Sequence, residues 1–285
     1  MNCRTIVTAA LILACTASVL PAQPAKQAKP AQAAPAAPAA QPGFTSPVAK
    51  QPAFKSKEEQ AAAVQMFQTM QSPDTDAAIK AGDSFLQKFP DSEFKPVALY
   101  FLTISYQSKN DYEKTLTYGE ATLKADPGNY QTMLLLAQLV AARTRENDLD
   151  KEEKLKTAEK FANQALEALK TAPRPNPNIA DAQWEMAKRD LEAQAYSAYA
   201  LIALAQKKTD VAIEQFQKSL ATSPVPDAST MVRLANAQAQ VGKYDEAIAT
   251  LEKVSAMPDV PPAVKQIAQK ELERTKQIKA KAAAK

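Results

Sequence analysis

From about residue 56 to the C-terminus, apolar positions recur at the ~3.6-residue spacing of helices, and the runs are broken at Pro or Gly. One stretch shows the logic. Leu99, Leu102, Tyr106 and Tyr112 are bulky, whereas Thr103, Thr115, Gly119 and Thr122 are small. Small residues on two successive helices let their backbones approach, and the large ones fill the space around them. Pro127 stops the second helix. The same periodicity predicts helices over 58–70, 76–89, 130–143, 154–169 and 262–280, with a longer one from about 179 to 206. Between them lie a charged insertion, 145–153, and a loop, 171–178, whose alternate prolines (Pro173, Pro175, Pro177) exclude helix.

The large/small spacing returns twice. It reads Tyr196, Tyr199-Ala200, Ala203, Ala212-Ile213, Phe216, Ser219-Leu220, Pro224, and again Met231, Leu234-Ala235, Gln238, Gly242, Tyr244, Ala247-Ile248, Leu251, Val254, Pro258. One small residue marks each second helix: Ala78, Thr115, Ala158, Ala212 and Ala247, at irregular intervals of 37, 43, 54 and 35. These units resemble the tetratricopeptide repeat, a helical hairpin of ~34 residues. The aromatic position of Tyr106 is kept only once, with Ala203 and Gln238 in the other two units. The resemblance implies an all-α chain, a right-handed α-solenoid of about five hairpins over 56–261. A C-terminal capping helix and basic tail, 262–285, would follow, its Lys and Gln giving the polar outer face that a solenoid end requires. A plain helical bundle is the competing architecture. Within the first units, Phe85-Leu86, Phe89-Pro90-Asp91-Ser92 and Val97-Ala98-Leu99-Tyr100 are similar to tetratricopeptide proteins of the bacterial envelope, among them the β-barrel assembly lipoprotein and a periplasmic cell-division coordinator.

The N-terminus has a different character. Arg4 precedes an uncharged apolar run, 5–20, closed by Pro21, which is short for a spanning helix and suited to an export signal. One reading places cleavage after Ala22, giving a signal over 1–22. The other takes Ile12-Leu13-Ala14-Cys15 as a lipoprotein signal ending at residue 14, with Cys15 as the lipidated residue. Residues 23–55 are nearly all Ala, Pro, Gln and Lys, and eight of the chain's 20 prolines fall between Pro21 and Pro52. So many prolines and so little to bury predict an extended, disordered tether. The expected location is outside the cytoplasm: periplasmic or secreted, or else an outer-membrane lipoprotein. A membrane contact is expected only if Cys15 is lipidated.

Composition then removes whole classes of chemistry. Among 285 residues there is no His, and the two cysteines, Cys3 and Cys15, sit in the expected signal. His-dependent nucleophilic catalysis and His-ligated metal are therefore excluded. Five isolated glycines build no phosphate loop. No cofactor and no metal are expected, and no catalytic residue is assigned. The net charge of +4 is uneven. Residues 1–58 hold six Lys/Arg against one acid, and 262–285 hold seven against two, so the repeat core is mildly acidic. That argues against a nucleic-acid partner, which needs a basic face on the folded part. A carboxylate-dependent cell-wall hydrolase remains a distant alternative, through the acids Glu146, Asp148, Asp150, Glu152 and Glu153 of the insertion.

In tetratricopeptide families the ligand usually lies on the concave face made by the first helix of each hairpin. Projection from the small-residue register places Tyr100, Ile104 and Gln107 there in one unit, and Leu134 and Gln138 in the next. Gln194, Ser197 and Leu201 follow, and then Val232, Asn236 and Ala239. The set has no Lys or Arg. Amides that bond both backbone N–H and C=O, interleaved with apolar residues, suit an extended or helical protein segment. The expected function is a non-enzymatic interaction scaffold of the cell envelope. Its alternative is a lipid-anchored outer-membrane factor for pilus or β-barrel assembly.

Overall fold

A computed structural model describes residues 52–175 and 178–283. The expected signal, Cys15, and the tether as far as residue 51 lie outside these residues. Eleven helices and no strand occur among the described residues. They pair as α1 (Lys57–Met70) with α2 (Thr75–Lys88), α3 (Lys95–Ser108) with α4 (Tyr112–Ala125), and α5 (Tyr130–Arg143) with α6 (Lys151–Thr171). Next come α7 (Asp181–Ala205) with α8 (Thr209–Thr222), and α9 (Ala228–Gln240) with α10 (Tyr244–Ala256). The last helix, α11 (Pro262–Ala283), stands alone. Each helix packs on the next in the chain, and α5 also touches α7, as α9 touches α11. This is the expected stack of five hairpins with a terminal helix.

The helix ends follow local chemistry. Asp74, Asp111, Asn129 and Asp227 each accept a hydrogen bond from the backbone N–H three residues on, satisfying a donor the first turn leaves free. Three hairpin turns share one geometry, with Asn110, Lys207 and Gly242 in the left-handed region at φ 57°, 62° and 81°. In each, the following N–H reaches back five residues, as Asp111 to Tyr106 O, Lys208 to Ala203 O and Lys243 to Gln238 O. That is the 6→1 bond of a Schellman motif. Helix α6 starts three residues earlier than its apolar period indicates. Glu152 and Glu153 fall in its first turn, where acids complement the helix dipole.

All five marker residues are buried, Ala78 being the most exposed at 6%. They let the paired helices close, and glycine does the same between hairpins. Gly82 of α2 lies against Leu102 of α3, and Gly119 of α4 against Leu136 of α5. Inside the second hairpin the buried Thr103 and Thr122 hydroxyls meet at 3.3 Å, and each also donates to its own helix, to Leu99 O and Tyr118 O. Helix α7, at 25 residues, is nearly twice the length of α8. It carries Trp184, Leu191 and Ala195 into a core with Tyr130, Met133 and Leu134 of α5 and Leu169 of α6. Helix α11 covers the end of the stack, with Val264, Ala268 and Leu272 against the core of the fifth hairpin, while most of its Lys and Gln residues face solvent.

The chain enters this stack at a fixed place. The Phe54 ring stacks on Phe94 at 4.3 Å, the Ala53 N–H donates to the Glu93 carboxylate, and the Lys55 N–H donates to Glu59. Ala53 and Phe54 are thus held against the loop between α2 and α3.

Candidate functional site

Three of the first helices, α3, α5 and α9, share a side that stays only half-buried, whereas the same register of α7 is buried at Ala198 and Leu201. Helix α9 shows how it arises. Met231, Val232 and Ala235 enter the core with α10 and α11, while Leu234 and Ala237 enter the core with α7 and α8. At ~100° per residue this leaves one free sector, Ser229, Arg233, Asn236 and Gln240. The first three are half-buried and Gln240 is exposed. The same register in α5 gives Gln131, Leu135, Gln138 and Ala142, and in α3 gives Val97, Phe101, Ile104 and Ser108. In both helices the first three are half-buried and the fourth is exposed. The inner surface is therefore amide-rich and apolar, with one cation.

The residues expected on this face divide into two groups. Ile104, Gln138 and Asn236 lie in the open sector and are half-buried. Tyr100, Gln107, Gln194 and Ala239 are also half-buried, and burial raises the Tyr100 phenol far above the usual tyrosine range, Tyr130 adding to the effect. Leu134, Ser197, Leu201 and Val232 are buried. Neighbouring helices cover three of them: Leu134 packs with α7, Val232 with α10 and α11, and Leu201 shares a core with Leu234 and Ala237 of α9. The Gln138 amide donates to the Gln194 backbone carbonyl at 3.1 Å, tying α5 to α7 across the inner face. The Gln194 amide in turn donates to Asp190.

Arg233 was not reached by projection from the register. It sits one residue, or ~100°, from Val232. Burial pulls its pKa below the ordinary arginine range, with Asp227 opposing, and it makes no ion pair among the described residues. A half-desolvated guanidinium on an otherwise neutral face is poised for a carboxylate or a peptide carbonyl.

The acids of the insertion serve structure. Lys154 bridges Asp148 at 3.0 Å and Asp150 at 2.8 Å, and Glu146 pairs with Lys207. The backbone N–H of Arg145 and the Lys154 side chain hold the Asp148 carboxyl below its usual range, and Lys207 does so for Glu146. A glycosidase acid needs the opposite shift. Among the described residues no group of three acidic or sulfur ligands could hold a metal ion, and no helix is long and apolar enough to cross a membrane.

Comparison with known proteins bears on the fold. The tetratricopeptide repeat family model matches residues 203–271, which run from the end of α7 into α11. No curated protein sequence matches the chain. Among solved structures, a thermophilic tetratricopeptide repeat protein of Thermus thermophilus superposes with a TM-score of 0.54 at 18% identity, covering 75% of this chain and 98% of that one. PilW, a widely conserved type IV pilus biogenesis factor, superposes with a TM-score of 0.55 at 14% identity, covering 80% of this chain and 90% of its own. No catalytic family is indicated. The family model on residues 203–271 and the same hairpin stack before them give this chain the fold of tetratricopeptide repeat proteins.

Proposed function

We propose that this protein is a non-enzymatic scaffold of the bacterial cell envelope that binds a segment of another protein on the inner face of its first helices. The observation that carries the reading is the open sector itself. The same register stays only half-buried on α3, α5 and α9, and it presents Ile104, Leu135, Gln138, Arg233 and Asn236. Partly buried amides there can bond the backbone of a docked strand or helix, and the apolar residues can grip its side chains. The export signal read over residues 1–22 supports placement in the envelope. The fold shared with PilW favours, as a second reading, a lipid-anchored pilus or outer-membrane assembly factor, with Cys15 as the lipidated residue.

The test uses crosslinked partners recovered from cells and identified by mass. Gln138→Lys, Arg233→Glu and Asn236→Lys each alter the open sector and are expected to abolish recovery of the dominant partner with the helical circular dichroism unchanged. Undiminished recovery by all three removes the inner face from the proposal. Fatty-acid labelling lost on Cys15→Ala supports the anchored form, and absence of labelling in the unaltered chain sinks it.

A further inference from the structure

Two unusual features lie side by side on the outer flank of the third and fourth hairpins, away from the inner face. The first is the turn between α5 and α6. Leu149 stands fully exposed at its tip, at 107% relative accessibility, the most exposed large apolar side chain among the described residues. Hydrogen bonds and ion pairs tie the turn beneath it. The Asp148 carboxylate accepts from the Arg145 N–H at 3.1 Å, Lys154 clamps Asp148 and Asp150, and Glu146 is tied to Lys207. Residues 145–154 carry five acids against three bases. The tied backbone beneath Leu149 has little conformational entropy left to lose on docking, which favours its use as an anchor.

The second feature is an open cleft of about 450 Å³ between α6 and α8, floored by α7. Tyr196, Tyr199 and Ile202 form its floor, and the exposed Val211 lines its α8 side. Lys208, at the N-cap of α8, and Lys218 on α8 line it against Glu159 from α6. Lys218 lies 4.2 Å above the Tyr196 ring, and neither lysine has an ion-pair partner among the described residues. The Tyr199 hydroxyl donates to Asn163, which holds that ring in place. A basic, aromatic cleft on an acidic repeat domain is the chemical complement of an acidic turn that displays one leucine.

Turn and cleft are also neighbours. Lys207, which holds Glu146 of the turn, directly precedes Lys208 of the cleft. A patch carrying both halves of a complementary pair on one edge meets the requirement of a two-fold contact, in which each copy gives what the other receives. We infer that the protein forms a reciprocal homodimer, in which Leu149 of each copy enters the α6–α8 cleft of the other and Asp148 and Asp150 face Lys208 and Lys218. The inner face remains free in such a dimer.

The experiment is sedimentation of the full-length chain over about 1–300 μM, a range suited to a modest interface. A monomer–dimer equilibrium that weakens as salt rises is expected. Leu149→Asp and Val211→Asp, both at exposed side chains, should each weaken it by at least about tenfold with unchanged circular dichroism. The decisive arm mixes the two variants. One has an intact cleft and the other an intact turn, so together they restore a heterodimer through a single contact. Monomer at every concentration, a dimer indifferent to both substitutions, or a mixture that stays monomeric overturns the inference. So does association that vanishes when residues 23–51 are removed, because the cleft then belongs to that Pro-rich segment.

Discussion

The joint between the second and third hairpins and the joint between the fourth and fifth occupy the same place in the repeat and are filled in opposite ways. Four residues after the marker, α4 carries Gly119 and α8 carries Phe216. At the first joint the backbone of α4 comes close enough that a Cβ on Gly119 would lie 2.7 Å from Leu136 Cδ2. At the second, the fully buried Phe216 shares its core with Ala200, Ala212 and Leu234. One joint brings two helices together by removing a side chain. The other keeps them bonded across a ring. The repeat specifies a volume at this position, and it leaves open which helix supplies it.

The largest way to break the comparison is Phe216→Ala. Removing a buried ring leaves a cavity and costs about 3–5 kcal/mol. In a solenoid, where each hairpin contacts only its neighbours, the loss stays local. Urea denaturation followed by amide exchange should show α7 to α10 opening first, with α1 to α4 retaining their protection. A uniform loss along the chain is the contrary result.

Gly119→Ala tests the other solution. An added methyl 2.7 Å from a buried leucine is overpacking, about 1–3 kcal/mol, offset by up to ~1 kcal/mol of helix propensity. A net destabilisation of about 1–2 kcal/mol is expected from urea midpoints. The double variant Gly119→Ala with Leu136→Ala should lose less than the sum of the singles, since the second change removes the clash made by the first.

The hairpin turns offer a third contrast, because here one geometry is met by three residues. Gly242 adopts positive φ freely, Asn110 tolerates it, and Lys207 is strained there. Lys207→Gly is expected to raise stability by about 1 kcal/mol. Failure to do so would mean that the pair with Glu146 contributes more than exposed pairs ordinarily do.

These contrasts show what the sequence made legible. The markers Ala78, Thr115, Ala158, Ala212 and Ala247, the long helix before Gln206 and the terminal helix from Pro262 could all be read, because small-residue spacing and proline breaks are local signals. The inner face was read only in part. Ile104, Gln138 and Asn236 depend on the register within one helix, which the sequence carries. Val232 and Arg233 depend on which flank of α9 its neighbours cover, and that follows from α10 and α11 packing against it. An error of one residue turns the face by ~100°, enough to exchange a core valine for an open arginine. The outer cleft gave no sequence signal, since its lining comes from three helices, from Glu159 on α6 to Lys218 on α8.

The finest test lies between two glycines that read alike. Gly82 and Gly119 occupy equivalent places in the first two hairpins, and each faces a buried leucine. They differ by a few tenths of an ångström. A Cβ on Gly82 would lie 3.0 Å from Leu102 Cδ2 and Cγ, against 2.7 Å for the closest approach at Gly119. At 3.0 Å a small shift of α2 relieves the contact, and the entropy gained by replacing a helical glycine offsets most of what is left. Gly82→Ala should therefore change stability by no more than about 0.5 kcal/mol in either direction, a fraction of the loss at Gly119. Matched urea titrations of the two variants resolve the difference. Equal losses would mean that the two joints are equally rigid, and that the closer approach at Gly119 has no energetic consequence.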